Sequence, residues 1–316
     1  MTTRIAIASL PATRPGTPLC ALAFAGVALW SGGCGGPPAA RATPAPTAPA
    51  ASPNQPARNG GARLARMITR LGPRPPFLIP GEAMSFELSY SGILTGRAVL
   101  AVGEPGVIDG RSILIVRSQF ETAGAAKLVT AIRDSIDSQI DFDTGTLIEH
   151  RGQALGSGKR ATALIRVGDQ STLFEYEREG KKPLTFDVTL PSGEIMHDTH
   201  SILGALRTWD PEPGAVVYFY SGSGRRVWRT DLEFRGSETM RTAMGLRAAL
   251  HYAGSSARLN PRSLEADRSK PPRSIEVWFS DDDLRMPLRV VAHTEYGDFR
   301  AELVSYQRPD QPVSLN

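Results

Sequence analysis

Two groups of side chains in this sequence carry atoms that hydrolytic or metal chemistry uses. The first is His197-Asp198-Thr199-His200, in which two imidazoles three residues apart flank a carboxylate. That spacing places two ligands on one helix face, and an imidazole beside a carboxylate is also the base and orienter of nucleophilic catalysis. The second is Ser280-Asp281-Asp282-Asp283, with Trp278 before it and Arg285 and Pro287 after it. A carboxylate run of this kind serves as a cation ligand or as a general acid and base. Taken together, His197, Asp198, His200 and Asp281–Asp283 would form the site of an envelope hydrolase, the alternative reading of this sequence.

Structural roles account for the same residues. His197 precedes a helix predicted over Thr199–Trp209, and Asp198 stands where its N-cap belongs. No third metal ligand is near in sequence, because His150, His251 and His293 fall on predicted strands. The acidic run lacks the alternating oxygen ligands and the glycine of a calcium loop. It fits a hairpin turn, in which Asp281 or Asp282 accepts backbone N–H groups and Arg285 pairs with a carboxylate across it. A Gly-x-Ser-x-Gly elbow, a His-Glu-x-x-His pair, a P-loop and a dinucleotide fingerprint are all missing. Gly222-Ser223-Gly224 with Arg225-Arg226 is a β-turn rather than a phosphate cradle, since no helix follows it. The expectation is a non-enzymatic domain with no catalytic residue, cofactor or metal, and the hydrolase stands as the alternative.

The elements that must position these residues are strands. From Glu82 onward, short alternating segments bounded by Gly, Pro and Asp predict antiparallel β-structure. Fourteen strands are expected: 84–91, 97–102, 112–118, 135–142, 146–153, 161–167, 171–176, 184–189, 216–221, 227–234, 246–252, 275–280, 288–293 and 299–306. Helical spacing of apolar residues predicts two helices, Thr122–Ile132 and Thr199–Trp209, with Pro211 and Pro213 ending the second. Arg258–Pro272, rich in Arg, Ser and Pro, is a loop. The aromatic groups Val216–Tyr220, Trp228 and Phe234 are core or pocket lining. The fold class is all-β, a large curved antiparallel sheet or half-barrel with one or two short helices, spanning 81–308 before a tail at 309–316.

The N-terminus supplies an address. The apolar run Leu19–Trp30, preceded only by Arg4 and Arg14 as charges, ends in Ser31-Gly32-Gly33-Cys34. This is the pattern of an export signal over 1–33 closed by a lipid-modifiable cysteine, with an apolar core too short to stay in a bilayer as a spanning helix. Lipoprotein signals usually carry Leu three residues before the cysteine, where this chain has Ser31; an ordinary cleaved signal and a soluble periplasmic product form the alternative. Gly35 after the cysteine resembles a residue that permits outer-membrane sorting. Once the signal and its Cys20 are removed, Cys34 is the only thiol, so no internal disulfide can form.

Residues 34–80 read as a tether. Gly35–Asn59 holds Ala, Pro, Thr, Gly and Ser with almost no large apolar residue, and cannot build a core. Over 61–71, Arg63, Arg66 and Arg70 recur at helical spacing opposite Leu64, Met67, Ile68 and Leu71. A short basic helix of this type lies on anionic headgroups or remains a solvated linker. Residues 1–81 hold eight Arg and no acidic residue, so 36 − 8 = 28 basic face 32 acidic residues beyond, a net −4. A nucleic-acid binder places its positive charge on the folded domain, and this chain does the reverse.

One stretch of residues also carries a family resemblance. Pro80-Gly81-Glu82 followed by Tyr90, Gly92, Gly96 and Leu100, then His197-Asp198 with Leu206-Arg207, and above all Ile275 to Pro287, with Trp278, Ser280, Asp281, Asp282, Arg285 and Pro287, resemble domain-of-unknown-function family 3108 from about Pro80 to Tyr306. The resemblance implies an exported envelope protein of Gram-negative bacteria with a β-rich fold and no established reaction. At fold level, a curved sheet with a helix on its concave side resembles the half-barrels of periplasmic lipoprotein carriers, whose hollow takes acyl chains. The sequence therefore leads to an outer-membrane lipoprotein facing the periplasm. Its partners would be the membrane, through the lipid on Cys34, and a lipidic ligand or another envelope protein.

Overall fold

A computed structural model of the chain describes residues 77–309, apart from 125 and 295–296. The signal over 1–33, Cys34, most of the tether, the helix expected at 61–71 and the tail beyond 309 lie outside the described residues. Among the described residues, no helix is long and apolar enough to cross a membrane.

The first half of the sheet comprises β1 (Ala83–Tyr90), β2 (Ile93–Val102), β3 (Gly106–Ile108), β4 (Arg111–Thr122), β5 (Ile132–Asp141), β6 (Leu147–Gly156), β7 (Lys159–Val167), β8 (Thr172–Arg178) and β9 (Leu184–Val188). The second half comprises β10 (Met196–His197), β11 (Val216–Ser223), β12 (Arg226–Thr242), β13 (Gly245–Leu259), β14 (Arg273–Ser280), β15 (Pro287–Thr294) and β16 (Gly297–Gln307). All fourteen expected strands are present. The two additional strands, β3 and β10, are three and two residues long, too short to show a period-2 pattern. The strand order is β10-β11-β12-β13-β14-β15-β16-β1-β2-β4-β5-β6-β7-β8-β9, with β3 paired to β4. Every pairing is antiparallel except β10 with β11.

The helix expected over Thr122–Ile132 is reduced to one turn, Ala126–Val129. The sheet claims both of its ends. Thr122 closes β4, its hydroxyl accepts from the Ile132 N–H that opens β5 and donates to the Thr130 carbonyl, and Gly124 turns the chain at φ +60°. Ladder pairing on both flanks outweighs the helical spacing of four apolar residues.

The other helix, Thr199–Thr208, forms as expected. The Asp198 carboxylate accepts from the Ser201 N–H and the Ser201 hydroxyl accepts from the Asp198 N–H, each at 2.9 Å, so two orphan donors of the first turn are satisfied. All ten helix residues are buried. The sheet wraps this helix, and Ile202, Leu203 and Leu206 join Phe86, Leu114, Ile140, Phe234 and Phe279 in the main core. Each such side chain contributes about 1.5–3 kcal/mol by leaving water. With no solvent-facing side, the helix must also bury polar residues, each of which needs a partner inside.

The sheet rolls past closure. Directly opposed residues share a face, so the inner face can be followed strand by strand from Ile136 and Ser138 through Gly152 and His150 to Ile165 and Phe174. On β11, Phe219 points inward to the edge of His197, and Tyr218, Tyr220 and Gly222 point outward. Ile165 and Phe174 nevertheless pack with Tyr218, Tyr220 and Val227 in one cluster. The inner face of β7–β8 thus lies on the outer face of β11–β12, as in a scroll. A Cβ on Gly222 would sit 2.7 Å from Ile165 and 2.8 Å from Phe174, so only glycine allows this approach. Sandwiched between helix and overlapping wall, β11 is buried on both faces from Val217 to Gly222, which explains its unbroken apolar run Val217–Tyr220.

Candidate functional site

The helix N-terminus anchors a polar centre sealed inside the scroll. Ser138 on β5 donates to the Asp198 carboxylate and accepts from His200 Nδ1 at 2.6 Å. His150 on β6 approaches the same carboxylate with Nδ1 at 3.0 Å, and since a carboxylate cannot donate, that nitrogen carries the proton. Burial pushes the Asp198 carboxyl up, but the His150 hydrogen bond, the His200 and His150 imidazoles and the Ser138 hydroxyl together hold it well below the usual carboxylate range. Burial lowers His197 and His200 to about 4 against the pull of Asp198, so both are neutral at physiological pH.

By residue type, Ser138, His200 and Asp198 could compose a nucleophile, a base and an orienting acid. The geometry is different. In a nucleophilic set the imidazole bridges hydroxyl and carboxylate, whereas here the hydroxyl bridges imidazole and carboxylate. The exposures of Ser138, Asp198, His200 and His150 are 0, 0, 1 and 2%, so the centre is closed to solvent. The centre fastens the helix to β5 and β6. Sequence reasoning placed Asp198 as the cap and missed Ser138 and His150, which lie 60 and 48 residues away and meet it only through sheet curvature.

A second buried lock holds the other end of the helix. Arg207 and Glu82 form an ion pair with both side chains fully buried. Glu82 also accepts from the Ile79 N–H at 3.0 Å and the Tyr306 hydroxyl at 2.9 Å, and Arg207 donates to the Leu284 carbonyl at 2.7 Å. The Gly81-Glu82, Leu206-Arg207 and Ile275–Pro287 segments, far apart in sequence, therefore meet at one guanidinium.

The Ile275–Pro287 segment is the β14–β15 hairpin. Asp282 Oδ1 accepts from the Ser280 hydroxyl and from the Leu284 and Arg285 N–H groups at 2.7, 3.0 and 3.2 Å. Arg285, at φ +46°, reaches Asp210 beyond the helix C-terminus at 3.1 Å. Asp281 donates its N–H to the Ala248 carbonyl, and Pro287 opens β15 opposite Phe279. Trp278 lies on the outer face, stacked on His251 at 4.5 Å and donating to Glu238 at 2.6 Å. Asp281–Asp283 thus neighbours the helix C-terminus, and His197, Asp198 and His200 sit at its N-terminus. Ten residues of helix, about 15 Å, separate the two sets. The structure does not unite them in one site. Among the described residues, no group of three or more His, Cys, Asp or Glu side chains is arranged to hold a metal ion.

The inner wall away from the helix has a different composition. Ala98, Phe120, Asp134, Ala154 and Ala161 form one row across β2, β4, β5, β6 and β7, and Gly152 and Ala163 form the next beside Ile136. Ala161, Ala163 and Tyr176 compose a patch separate from the main core. Asp134 is 4% exposed, and neither carboxylate oxygen has a hydrogen-bond partner. Burial alone raises its carboxyl to about 7. Across the scroll, Trp228, Ser256, Arg258 and Arg273 face inward from β12, β13 and β14 but are only half-buried. They follow the fully buried Tyr252 on the same face, so the interior opens to solvent at this end.

Comparison with solved structures finds a β-barrel-like protein of domain of unknown function DUF1849 from Brucella abortus, with TM-score 0.48 and 12% identity over 72% of this chain and 98% of that one. A presumed exported protein with YmcC-like fold from Bacteroides fragilis matches at TM-score 0.34 and 10% identity, covering 74% of this chain and 100% of that one. The Mycobacterium tuberculosis lipoprotein LppX matches at TM-score 0.22 and 11% identity, covering 80% and 95%. No curated protein matches the sequence. The family model described as "Protein of unknown function (DUF3108)" matches residues 85–304, from within β1 to within β16, and the chain belongs to that family.

Proposed function

We propose that the protein is an exported envelope lipoprotein, anchored through acylated Cys34 to the periplasmic face of the outer membrane, whose non-enzymatic β-domain receives a lipidic ligand inside its scroll. The observation that carries this reading is the inner wall. Next to the helix, the interior is filled by Leu, Ile, Phe and Met; elsewhere the inner faces of β2, β6 and β7 carry the small residues Ala98, Gly152, Ala154, Ala161 and Ala163. A wall of small side chains would admit a slender acyl chain, which needs no hydrogen bonds. The sealed polar centre supports a non-enzymatic role, since Ser138, His150, His200 and Asp198 are bonded to one another at the helix N-terminus.

The test is binding of a fluorescent fatty-acid analogue to the full chain carrying Cys34→Ala, which removes the protein's own acyl group. Saturable binding is expected, and Ala154→Phe, which fills the wall, is expected to weaken it at least tenfold while the melting temperature stays within a few degrees. Equal binding by both proteins would place the ligand elsewhere; absence of binding by the parent would remove the lipid ligand altogether.

A further inference from the structure

The β11–β12 turn, β13 and β14 bring four guanidinium groups, those of Arg225, Arg226, Arg258 and Arg273, to one end of the scroll, and three of them are engaged. Arg225 lies 5.8 Å over the Tyr176 ring, Arg273 lies 5.7 Å over the Trp228 ring, and Arg258 is ion-paired with Asp267. Arg226 is different. Ser223 opposes it in the ladder, which places it on the inner face with Trp228 and Thr230. It is half-buried, and among the described residues no carboxylate pairs with its guanidinium. Burial, with Arg258, Arg225 and Arg273 close by, lowers it to about 10, and Tyr176 alone acts in the opposite direction. A half-buried cation surrounded by like charges costs stability. A surface arginine normally avoids that cost by turning to water or to a carboxylate. The turn itself, with Gly224 at φ +57°, needs no arginine at position 226.

We propose that Arg226, flanked by Arg273 and the face of Trp228, forms an anion-binding site at the mouth of the scroll that takes a phosphate group. The planar fork of a guanidinium donates two parallel N–H bonds to phosphate oxygens, and a bound dianion would offset the mutual repulsion of the four cations. An indole beside the site supplies an amphipathic surface at the junction of a polar group and an apolar chain. As the place of a lipid headgroup, the site rests on the ligand reading above; as a phosphate site, it stands on the arginine geometry alone.

The experiment is titration of the full Cys34→Ala chain, without detergent, with decyl phosphate, decyl maltoside and inorganic phosphate, each repeated on Arg226→Met. Decyl phosphate is expected to bind at least tenfold more tightly than decyl maltoside, and Arg226→Met to abolish that preference while retaining the weaker maltoside binding. Removing a half-buried unpaired cation should leave the melting temperature unchanged or higher, so loss of binding is not loss of fold. Inorganic phosphate binding that needs Arg226, without binding of either amphiphile, would keep the anion site and overturn the lipid ligand. Equal affinity for both amphiphiles, unaltered by Arg226→Met, would overturn the anion site and keep the lipid ligand. No binding of any of the three would overturn both.

Discussion

Asp134 offers a stability experiment with a sign that changes little with detail. Its carboxyl occupies an inner-wall position where the same face carries Ile136 and Ile140, and its pairing neighbours Phe120 and Ala154 offer no hydrogen bond. With both oxygens buried and unpartnered, the charged form is disfavoured and the group titrates at about 7 instead of 3.8. Holding a proton that the unfolded chain releases at 3.8 costs the fold about 4 kcal/mol once the pH exceeds 7. The penalty is absent below 3.8, grows between 3.8 and 7, and is constant above. Asp134→Asn keeps the shape of the protonated carboxyl and cannot ionise. Urea denaturation of the two proteins at pH 4 and pH 8 should therefore show near-equal stability at the lower pH and an advantage of about 2–4 kcal/mol for the variant at the higher. An equal difference at both pH values, or a variant less stable at pH 8, would refute a desolvated, unpartnered Asp134.

Further expectations concern the two locks and the address. Arg207→Met leaves Glu82 buried and unpaired and should cost about 3–5 kcal/mol in urea denaturation, whereas Arg207→Met combined with Glu82→Leu should recover most of that loss; equal losses would show that the pair is not coupled. His197 and His200 titrate at about 4 when folded and 6.5 when unfolded, so each disfavours the fold as pH falls from 6.5 to 4, by up to about 3 kcal/mol. The penalty opposes the relief of Asp134 over the same range, and Asp134→Asn should steepen the acid unfolding profile; a profile flat from pH 7 to 4 in that variant would contradict neutral buried histidines. Metabolic labelling with a fatty acid should mark the wild-type chain and leave Cys34→Ala unlabelled but still exported, and equal label on both would remove the anchor at Cys34.

Much of the fold is legible in residue order because strand alternation is a local property. Met84, Phe86 and Leu88, or Ile136, Ser138 and Ile140, declare their strand and its buried face without reference to anything distant. The helix is equally local, since Asp198, Ser201 and the Leu203–Leu206 spacing lie within one short segment. What the sequence conceals depends on how far the sheet curls. The overlap of Phe174 on Gly222, the meeting of Ser138 and His150 with Asp198, and the convergence of Glu82, Arg207 and Leu284 each join residues 48 or more positions apart. Asp134 did carry a readable signal, a carboxylate at an apolar-face position of β5. Arg226 did not, because its inward direction follows from the register of β12 and its isolation from the placing of three other arginines.

Native mass spectrometry of the full Cys34→Ala chain, exported and purified without detergent, tests the central claim most directly. The account predicts a lipid-sized adduct near one per protein that is lost in Ala154→Phe. A bare polypeptide mass, or an adduct that Ala154→Phe retains unchanged, would contradict a ligand held within the scroll.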